Sequence, residues 1–125
     1  HAEGDKVLKA VASLLREVAS AEDQVFRIGG EEFAILSSRP HPVARLFGES
    51  IRHAVKASAA TSRFELTVSA GVSTVGETTR CLADLFALAD QRLYKAKSTG
   101  RDRVVGEPGG HEPDTATAWT KSAQF

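Results

Sequence analysis

The chain has 125 residues, enough for one domain of ordinary size, with 42% hydrophobic and 26% charged residues, a balance typical of globular proteins. No apolar run reaches the roughly 18 residues of a membrane-spanning helix, and the single cysteine, Cys81, excludes an internal disulfide. Lys and Arg number 16 and Asp and Glu number 16, so the net charge of zero argues against nucleic acid as a partner recognised by bulk charge.

The first predicted element is an amphipathic helix near the start of the chain. Large apolar residues recur there at the spacing of one helix face, and Asp5 suits the N-cap or the first turn. That face comprises Val7, Leu8, Val11, Leu14, Leu15 and Val18. The pattern predicts a helix with one side buried.

A β-hairpin is predicted next. Two runs rich in β-branched and aromatic residues, 25–28 and 31–36, flank the Gly-Gly pair at 29–30. The favoured two-residue hairpin turns need residues that accept positive φ, and glycine does so readily. Pro40 and Pro42 then predict a break in the chain.

Two further helices and two strands are predicted in the rest of the chain. Alternation of apolar and polar residues over 64–72 predicts a half-buried strand, and 103–105 suits a short last strand. The third helix is expected to end near Gly100, a favourable residue just beyond a helix C-terminus. The apolar residues that mark the second and third helices are Leu46, Phe47, Ile51, Ala54, Val55, and then Leu85, Phe86, Ala89, Leu93 and Ala96.

The element order predicts an α+β domain over 1–105, with a mostly antiparallel sheet flanked by helices. Residues 106–125 are rich in Gly, Pro and polar residues without helical or strand periodicity, so they are predicted to form a flexible tail or linker. Because this sequence opens on a helix, the sheet of this chain is expected to lack its first strand and with it a central member.

Two acids at the predicted hairpin turn are the first candidate site residues. Glu31 and Glu32 directly follow Gly29 and Gly30, whose lack of side chains lets a phosphate or ribose approach the backbone. A carboxylate there suits Mg²⁺, which binds one or two carboxylates together with substrate phosphates. Successive strand residues point to opposite faces, so both acids cannot reach one metal by simple geometry. The alternative is an ordinary hairpin with solvated acids.

A pair of cations lies at the C-terminal end of the third helix. Lys97 and Arg101 are four residues apart and share one helix face if the last turn continues. Together they suit a triphosphate, Lys as a point charge and Arg as a fork. The alternative is structural, because a cation at a helix C-terminus contributes about 0.3–1 kcal/mol through the helix dipole. Asp5 likewise suits either a base or ribose hydroxyl, or a helix cap.

Four motifs in order resemble the GGDEF family of bacterial diguanylate cyclase domains. They are His1-x-x-Gly4-Asp5, the hairpin Arg27-Ile28-Gly29-Gly30-Glu31-Glu32-Phe33, the strand Thr67-Val68-Ser69-Ala70-Gly71-Val72-Ser73, and Ala89-Asp90-x-x-Leu93-Tyr94-x-Ala96-Lys97-x-x-Gly100-Arg101. The resemblance implies a nucleotide-cyclase or polymerase-palm fold, which is ferredoxin-like. It also implies that two GTP molecules are condensed to cyclic di-GMP and two pyrophosphates.

The resemblance also implies a role for each matching residue. Glu31 is the implied catalytic residue, as proton acceptor and ligand of Mg²⁺ (or Mn²⁺). The implied substrate contacts are Gly29 and Gly30 at the turn, Lys97 and Arg101 on the phosphates, His1 and Asp5 near guanine and ribose, and Glu32 as a second acid near the base.

Two departures from the family pattern stand out. The family has a strand before this point that carries an Asp metal ligand, so Glu31 is expected to lack its metal partner here. The family's inhibitory site is Arg-x-x-Asp, and this chain has Ser20-Ala21-Glu22-Asp23 instead. Ser20 cannot supply a guanidinium fork beside Asp23, so weak or absent feedback inhibition by cyclic di-GMP is expected.

The implied partners are GTP, cyclic di-GMP and a second copy in a transient antiparallel homodimer. The resemblance also suggests a sensor or EAL domain in the parent protein. The expected location is the cytoplasm, with membrane anchoring of the parent protein left open. The alternative function is a non-catalytic GTP-binding or regulatory module, or an inactive fragment. Replacement of Glu31 by Ala would separate the two, because an enzyme should lose nearly all turnover while keeping its fold, whereas a binding module should keep most of its affinity.

Overall fold

The computed structural model describes the backbone of residues 2–62, 64–75, 81–108 and 118–124, and the side chains of 4–61, 64–75 and 81–108. Helices and strands follow each other in nearly the predicted order. The elements are α1 (Ala2–Val18), β1 (Gln24–Gly29), β2 (Glu32–Ser37), α2 (His41–Ala57), α3 (Ala59–Ser62), β3 (Val68–Thr74), α4 (Leu82–Ser98), β4 (Val104–Val105) and β5 (Ala118–Gln124).

A five-stranded sheet of order β1-β2-β5-β3-β4 forms the centre of the fold. The pairs β1–β2, β2–β5 and β5–β3 are antiparallel, and only β3–β4 is parallel. The described residues therefore have an α+β fold with a mostly antiparallel sheet, as the sequence predicts.

The central strand is β5, which lies in the segment where the sequence predicts a tail or linker. It pairs with β2 from Glu32↔Ala123 to Ser37↔Ala118, and with β3 from Val68↔Gln124 to Thr74↔Ala118. The expectation of a sheet without a centre is thus wrong, and so is the expectation of a linker for these residues. Backbone pairing on both sides can hold a segment whose side chains show no strand alternation.

Helices cover both faces of the sheet. The larger core joins α1 and α2 to one face, where Leu15, Phe33 and Ile51 are buried together. On the other face α4 packs its Leu85 and Ala89 against Ala34. The predicted apolar stripe of the first helix is confirmed, because Val7, Val11 and Leu15 are all buried.

Strand β3 differs from its prediction in position and burial. It begins at Val68 rather than at 64, and all seven of its residues are buried instead of every second one. Contacts with α2 and α4 cover its two faces, and β4 and β5 flank its edges. Its polar residues are satisfied, since Ser73 Oγ donates to Leu85 O at 2.6 Å and Ser69 Oγ accepts from the Asp102 N–H at 3.1 Å.

Two helix boundaries refine the predictions. Helix α2 begins at His41, so Pro42 lies in its first turn, where proline fits, rather than breaking the chain. Helix α4 ends at Ser98, and Gly100 follows with φ +131°. The Arg101 N–H donates to Ala96 O at 2.8 Å, the bond that closes a Schellman motif, so the predicted end near Gly100 is confirmed.

We expect Gly71→Ala to destabilise the fold, because α4 crosses β3 at Gly71 without room for a side chain. A Cβ atom there would lie 2.1 Å from Ala89 O and 2.3 Å from Leu93 N, both backbone atoms that move only with the helix. The expected loss of unfolding free energy is about 3 kcal/mol, measured by urea denaturation. Gly4→Ala is the matched control, since its Cβ would meet nothing within 4 Å and alanine favours a helix. Equal stabilities of the two variants would contradict this packing.

Candidate active site

The hairpin turn is held in one conformation by its own strand. Gly30 has φ +52°, in the left-handed region that glycine accepts without strain. Arg27 donates from Nε and Nη2 to Gly30 O, at 3.1 and 2.7 Å. A Cβ atom at Gly30 would meet nothing within 4 Å, so space is open beside the backbone of the turn. A phosphate or sugar can therefore approach this turn closely.

The two predicted acids take different places at this turn. Glu31 lies in the turn itself and is half-buried, whereas Glu32 is the first residue of β2. Glu32 Oε2 lies 3.6 Å from Lys97 Nζ, so the hairpin and the C-terminal part of α4 meet through an ion pair. The structure thus brings Glu32 and Lys97 together, although 65 positions separate them in sequence.

Arg101 is positioned by a loop rather than by a helix. Because α4 ends at Ser98, the last turn does not continue to Arg101, and the condition for Lys97 and Arg101 to share one helix face is not met. Arg101 instead has φ +61° in the loop after Gly100, and its side chain is exposed. Its guanidinium forms no ion pair or hydrogen bond with any residue of the described ranges, so it remains available to an anion.

A cavity of about 240 Å³ lies between α1 and the hairpin. Asp5 lines this cavity. It lies inside the first turns of α1 and is therefore not the N-cap of that helix. His1 lies outside the described residues. The cavity is lined by Asp5, Leu8, Lys9, Ala12, Arg16, Val25, Arg27 and Phe33.

Three basic residues of this cavity were not singled out in the sequence. Lys9 and Arg16 follow Asp5 at i+4 and i+11, the spacing of one helix face, and Arg27 belongs to the hairpin motif. The same helical periodicity that identified the apolar stripe of α1 would have found the first two. Together they make the cavity attractive to an anionic ligand.

Asp23, the remaining half of the expected inhibitory motif, is committed to an internal network. Its side chain is 1% exposed, and Arg39 Nη1 donates to Asp23 Oδ1 at 2.6 Å. The Ser20 N–H and hydroxyl both donate to Oδ2, at 2.8 and 3.2 Å. The guanidinium of Arg39 also lies 3.8 Å over the Phe47 ring. These contacts give Asp23 a structural role within the protein.

We expect Asp23→Asn to lower stability at neutral pH only. Burial raises the pKa of Asp23, but the hydrogen bonds from Arg39, Ser20 and Ser37 outweigh it and hold that pKa below 3.8. A carboxylate with a depressed pKa stabilises the folded state above its unfolded pKa, and that stability is lost as pH falls through the folded value. The variant should unfold about 1–3 kcal/mol more easily at pH 7 and approach the parent protein below about pH 4. Urea denaturation midpoints between pH 7 and pH 3 measure this difference, with Glu22→Gln at an exposed position as the control. A stability difference that stays constant over this pH range would contradict the prediction.

Metal-binding capacity at this site rests on the hairpin acids. Among the residues that the structure describes, no three His, Cys, Asp or Glu side chains come together as a metal-binding group. Mg²⁺ characteristically binds through one or two carboxylates together with substrate phosphates. Half-buried Glu31 beside an open turn fits such an ion, or Mn²⁺, arriving with a nucleotide.

Comparison with known proteins identifies the family of the chain. A family model described as "Diguanylate cyclase, GGDEF domain" matches residues 1–103, so the chain belongs to the GGDEF family. The chain is 41% identical over 106 residues to diguanylate cyclase DgcM of Escherichia coli strain K12, covering 84% of this chain and 26% of that protein. It is 34% identical over 102 residues to diguanylate cyclase DgcS of Shewanella oneidensis, covering 82% of this chain and 34% of the relative.

The matches cover the domain and not the whole of each relative. Diguanylate cyclase DgcP of Pseudomonas aeruginosa, 39% identical over 108 residues, is covered over only 16% of its length. The chain thus spans between 16% and 34% of the length of these curated relatives. None of the described helices combines the length and hydropathy needed to cross a membrane.

Proposed function

We propose that this chain is a diguanylate cyclase domain that condenses two GTP molecules into cyclic di-GMP and two pyrophosphates. Family membership and relatives named as diguanylate cyclases support this reaction class. One structural observation carries the proposal: Glu31 sits on the open Gly30 turn, and Glu32 next to it pairs with Lys97. A proton acceptor and a phosphate-binding cation therefore flank the same turn.

Each residue has a defined part in this reaction. Glu31 accepts the proton as the 3′-oxygen of one GTP attacks the α-phosphorus of the other. The new 3′-O–P bond forms as the bond between the α-phosphorus and the pyrophosphate oxygen breaks in line. Lys97 and Arg101 hold the triphosphate, and Asp5 accepts hydrogen bonds from base or ribose. Bound Mg²⁺ would be held by Glu31 and would spread the charge that develops on the phosphates.

The chemistry requires two copies of the domain. Each palm-like domain holds one GTP, so the attacking hydroxyl comes from the nucleotide on a second copy in a transient antiparallel homodimer. We place this domain in the cytoplasm, where GTP is available, under the control of a sensor or EAL domain in the parent protein.

A non-catalytic GTP-binding module is the second candidate, and the central strand favours it. In the family the strand at this point of the sheet carries a metal-binding Asp, whereas 118–124 of this chain contains no Asp or Glu. A site with Glu31 as its main metal ligand would bind Mg²⁺ weakly and turn over slowly.

Incubation of the full chain with GTP and Mg²⁺, followed by mass spectrometry, tests the proposal. Cyclic di-GMP and pyrophosphate in a one-to-two ratio are expected, at a rate that rises with the square of protein concentration while dimers are scarce. Saturable GTP binding without product would favour the regulatory module. Neither binding nor product would refute both functions. ATP in place of GTP controls for unspecific phosphate binding.

A further inference from the structure

The loop that follows α4 holds two consecutive residues in an unusual backbone conformation. Arg101 has φ +61° and Asp102 has φ +49°, the left-handed region that side chains other than glycine rarely adopt. Such a conformation costs energy and persists only where the surroundings impose it. The Schellman bond from the Arg101 N–H to Ala96 O closes the loop on one side.

Asp102 holds the other side of the loop. Its N–H donates to Ser69 Oγ at 3.1 Å, which fastens the backbone to buried strand β3. Its carboxylate accepts from Arg52 Nη1 at 3.0 Å and from Lys56 Nζ, and both cations project from α2. Burial raises the pKa of Asp102, but these two hydrogen bonds outweigh it and keep the pKa below 3.8. Asp102 is therefore charged and anchored to two separate elements at neutral pH.

The anchored residue is adjacent to an Arg side chain that is exposed and unpartnered within the described ranges. A guanidinium that grips phosphate as a fork needs a fixed direction of approach, because two parallel hydrogen bonds tolerate little error. We propose that Asp102 is a positioning residue, which holds the Arg101 backbone in its left-handed conformation so that the guanidinium faces the nucleotide phosphates. This inference rests on the phosphate-binding role given to Arg101 under the proposed function.

Arg52 and Lys56 have their own part in this arrangement. Both cations would compete for phosphate if they were free, but each forms an ion pair with the Asp102 carboxylate. Arg52 also pairs with Glu49 at 2.8 Å, so it is held from two directions. The Arg101 guanidinium takes no part in this network, while its carbonyl accepts from Arg103 Nε at 3.0 Å.

A double-mutant cycle with 3′-deoxy-GTP as the probe tests the inference. This nucleotide keeps the triphosphate but lacks the attacking hydroxyl, so its dissociation constant is measured without turnover. Asp102→Ala is expected to weaken binding about tenfold, and Arg101→Ala by a similar factor. The double variant should bind no more weakly than Arg101→Ala alone, because Asp102 acts only through Arg101.

The conservative variant and α2 provide further readouts. Asp102→Asn should bind within about twofold of the parent chain, since asparagine tolerates the left-handed region and its carbonyl can accept from Arg52. Arg52→Ala should weaken binding about threefold without altering residue 102, which keeps the test valid if Asp102→Ala fails to fold.

Each outcome bears on the inference. Asp102→Ala could lower the affinity for 3′-deoxy-GTP by the same factor in the parent chain and in the Arg101→Ala variant. That result would show a general structural role for Asp102 and overturn the positioning role. If Arg101→Ala weakens binding but Asp102→Ala and Arg52→Ala bind as tightly as the parent chain, the positioning role of Asp102 is overturned. The proposed function then stays in place. Unchanged binding by Arg101→Ala would overturn the positioning role and the phosphate-binding role of Arg101 together.

Discussion

Deletion of residues 109–125 is expected to abolish cooperative unfolding. The deletion removes β5, whose backbone pairs with β2 on one side and β3 on the other. Adjacent strands lie about 4.8 Å apart, so β2 and β3 would be left about twice that distance from each other, too far to pair. Their inner N–H and C=O groups would then lose every ladder partner in a site that α1, α2 and α4 keep from water.

The size of this effect follows from the number of groups affected. Each buried backbone group without a partner costs about 1–3 kcal/mol, whereas a whole domain is stable by only about 5–15 kcal/mol. A handful of such groups exceeds the stability of the fold. Circular dichroism and urea titration should show loss of the cooperative transition in the shortened chain.

A synthetic peptide of residues 116–125 is the matched complement for this deletion. Added to the shortened chain, it should restore the transition in proportion to its concentration, because pairing in trans uses the same ladders. The single substitution Lys121→Pro should weaken the full chain strongly, since a central strand cannot accommodate proline. A shortened chain that still unfolds cooperatively at the parent midpoint would contradict the role of β5.

The second large expected effect is on turnover. Glu31→Gln should lower the rate of cyclic di-GMP formation by about 100-fold or more, because the amide keeps the shape of the side chain but cannot accept a proton. Binding of 3′-deoxy-GTP without added metal should change little, since the variant leaves the proposed binding residues, Lys97 and Arg101, and the cavity beside Asp5 unchanged. The measurement pairs a product assay with a dissociation constant.

Folding and chemistry can be separated in this variant. Glu31 lies in a turn and is only half-buried, so the glutamine side chain of the variant should leave the unfolding transition of the protein unchanged. Glu17→Gln in α1 is the matched control, an exposed acid that does not line the cavity. Full activity of Glu31→Gln would mean that another group accepts the proton, and would remove the catalytic role of Glu31.

The elements that the sequence predicted correctly are those set by local physics. The stripe of α1, the Gly30 turn and the C-terminus of α4 each depend on residues within a few positions of one another. Strand β5 could not be found this way, because its position depends on the vacant edges of β2 and β3 and not on its own alternation. The complete burial of β3 likewise arises from α2 and α4, which are distant in sequence.

The candidate site shows the same division. The motifs located Glu31, Lys97 and Arg101, but the Glu32–Lys97 pair is a tertiary contact that no spacing rule contains. The backbone at Arg101 is left-handed, and the next residue, Asp102, is held by Arg52 and Lys56 of α2. Helical periodicity contains neither feature. Arg39 was missed as the partner of Asp23, because the two are 16 positions apart in sequence and meet only when β1 and β2 pair.

The position of β5 also sets the order in which the fold can assemble. In a growing chain the hairpin and α1 can form early, but Glu32 has no central partner until Ala123 has been synthesised. Pairing between such distant residues is slow, because a long loop must close before any contact stabilises it. Until then the inner edges of β2 and β3 are open to strands of neighbouring chains, so refolding yield should fall as protein concentration rises.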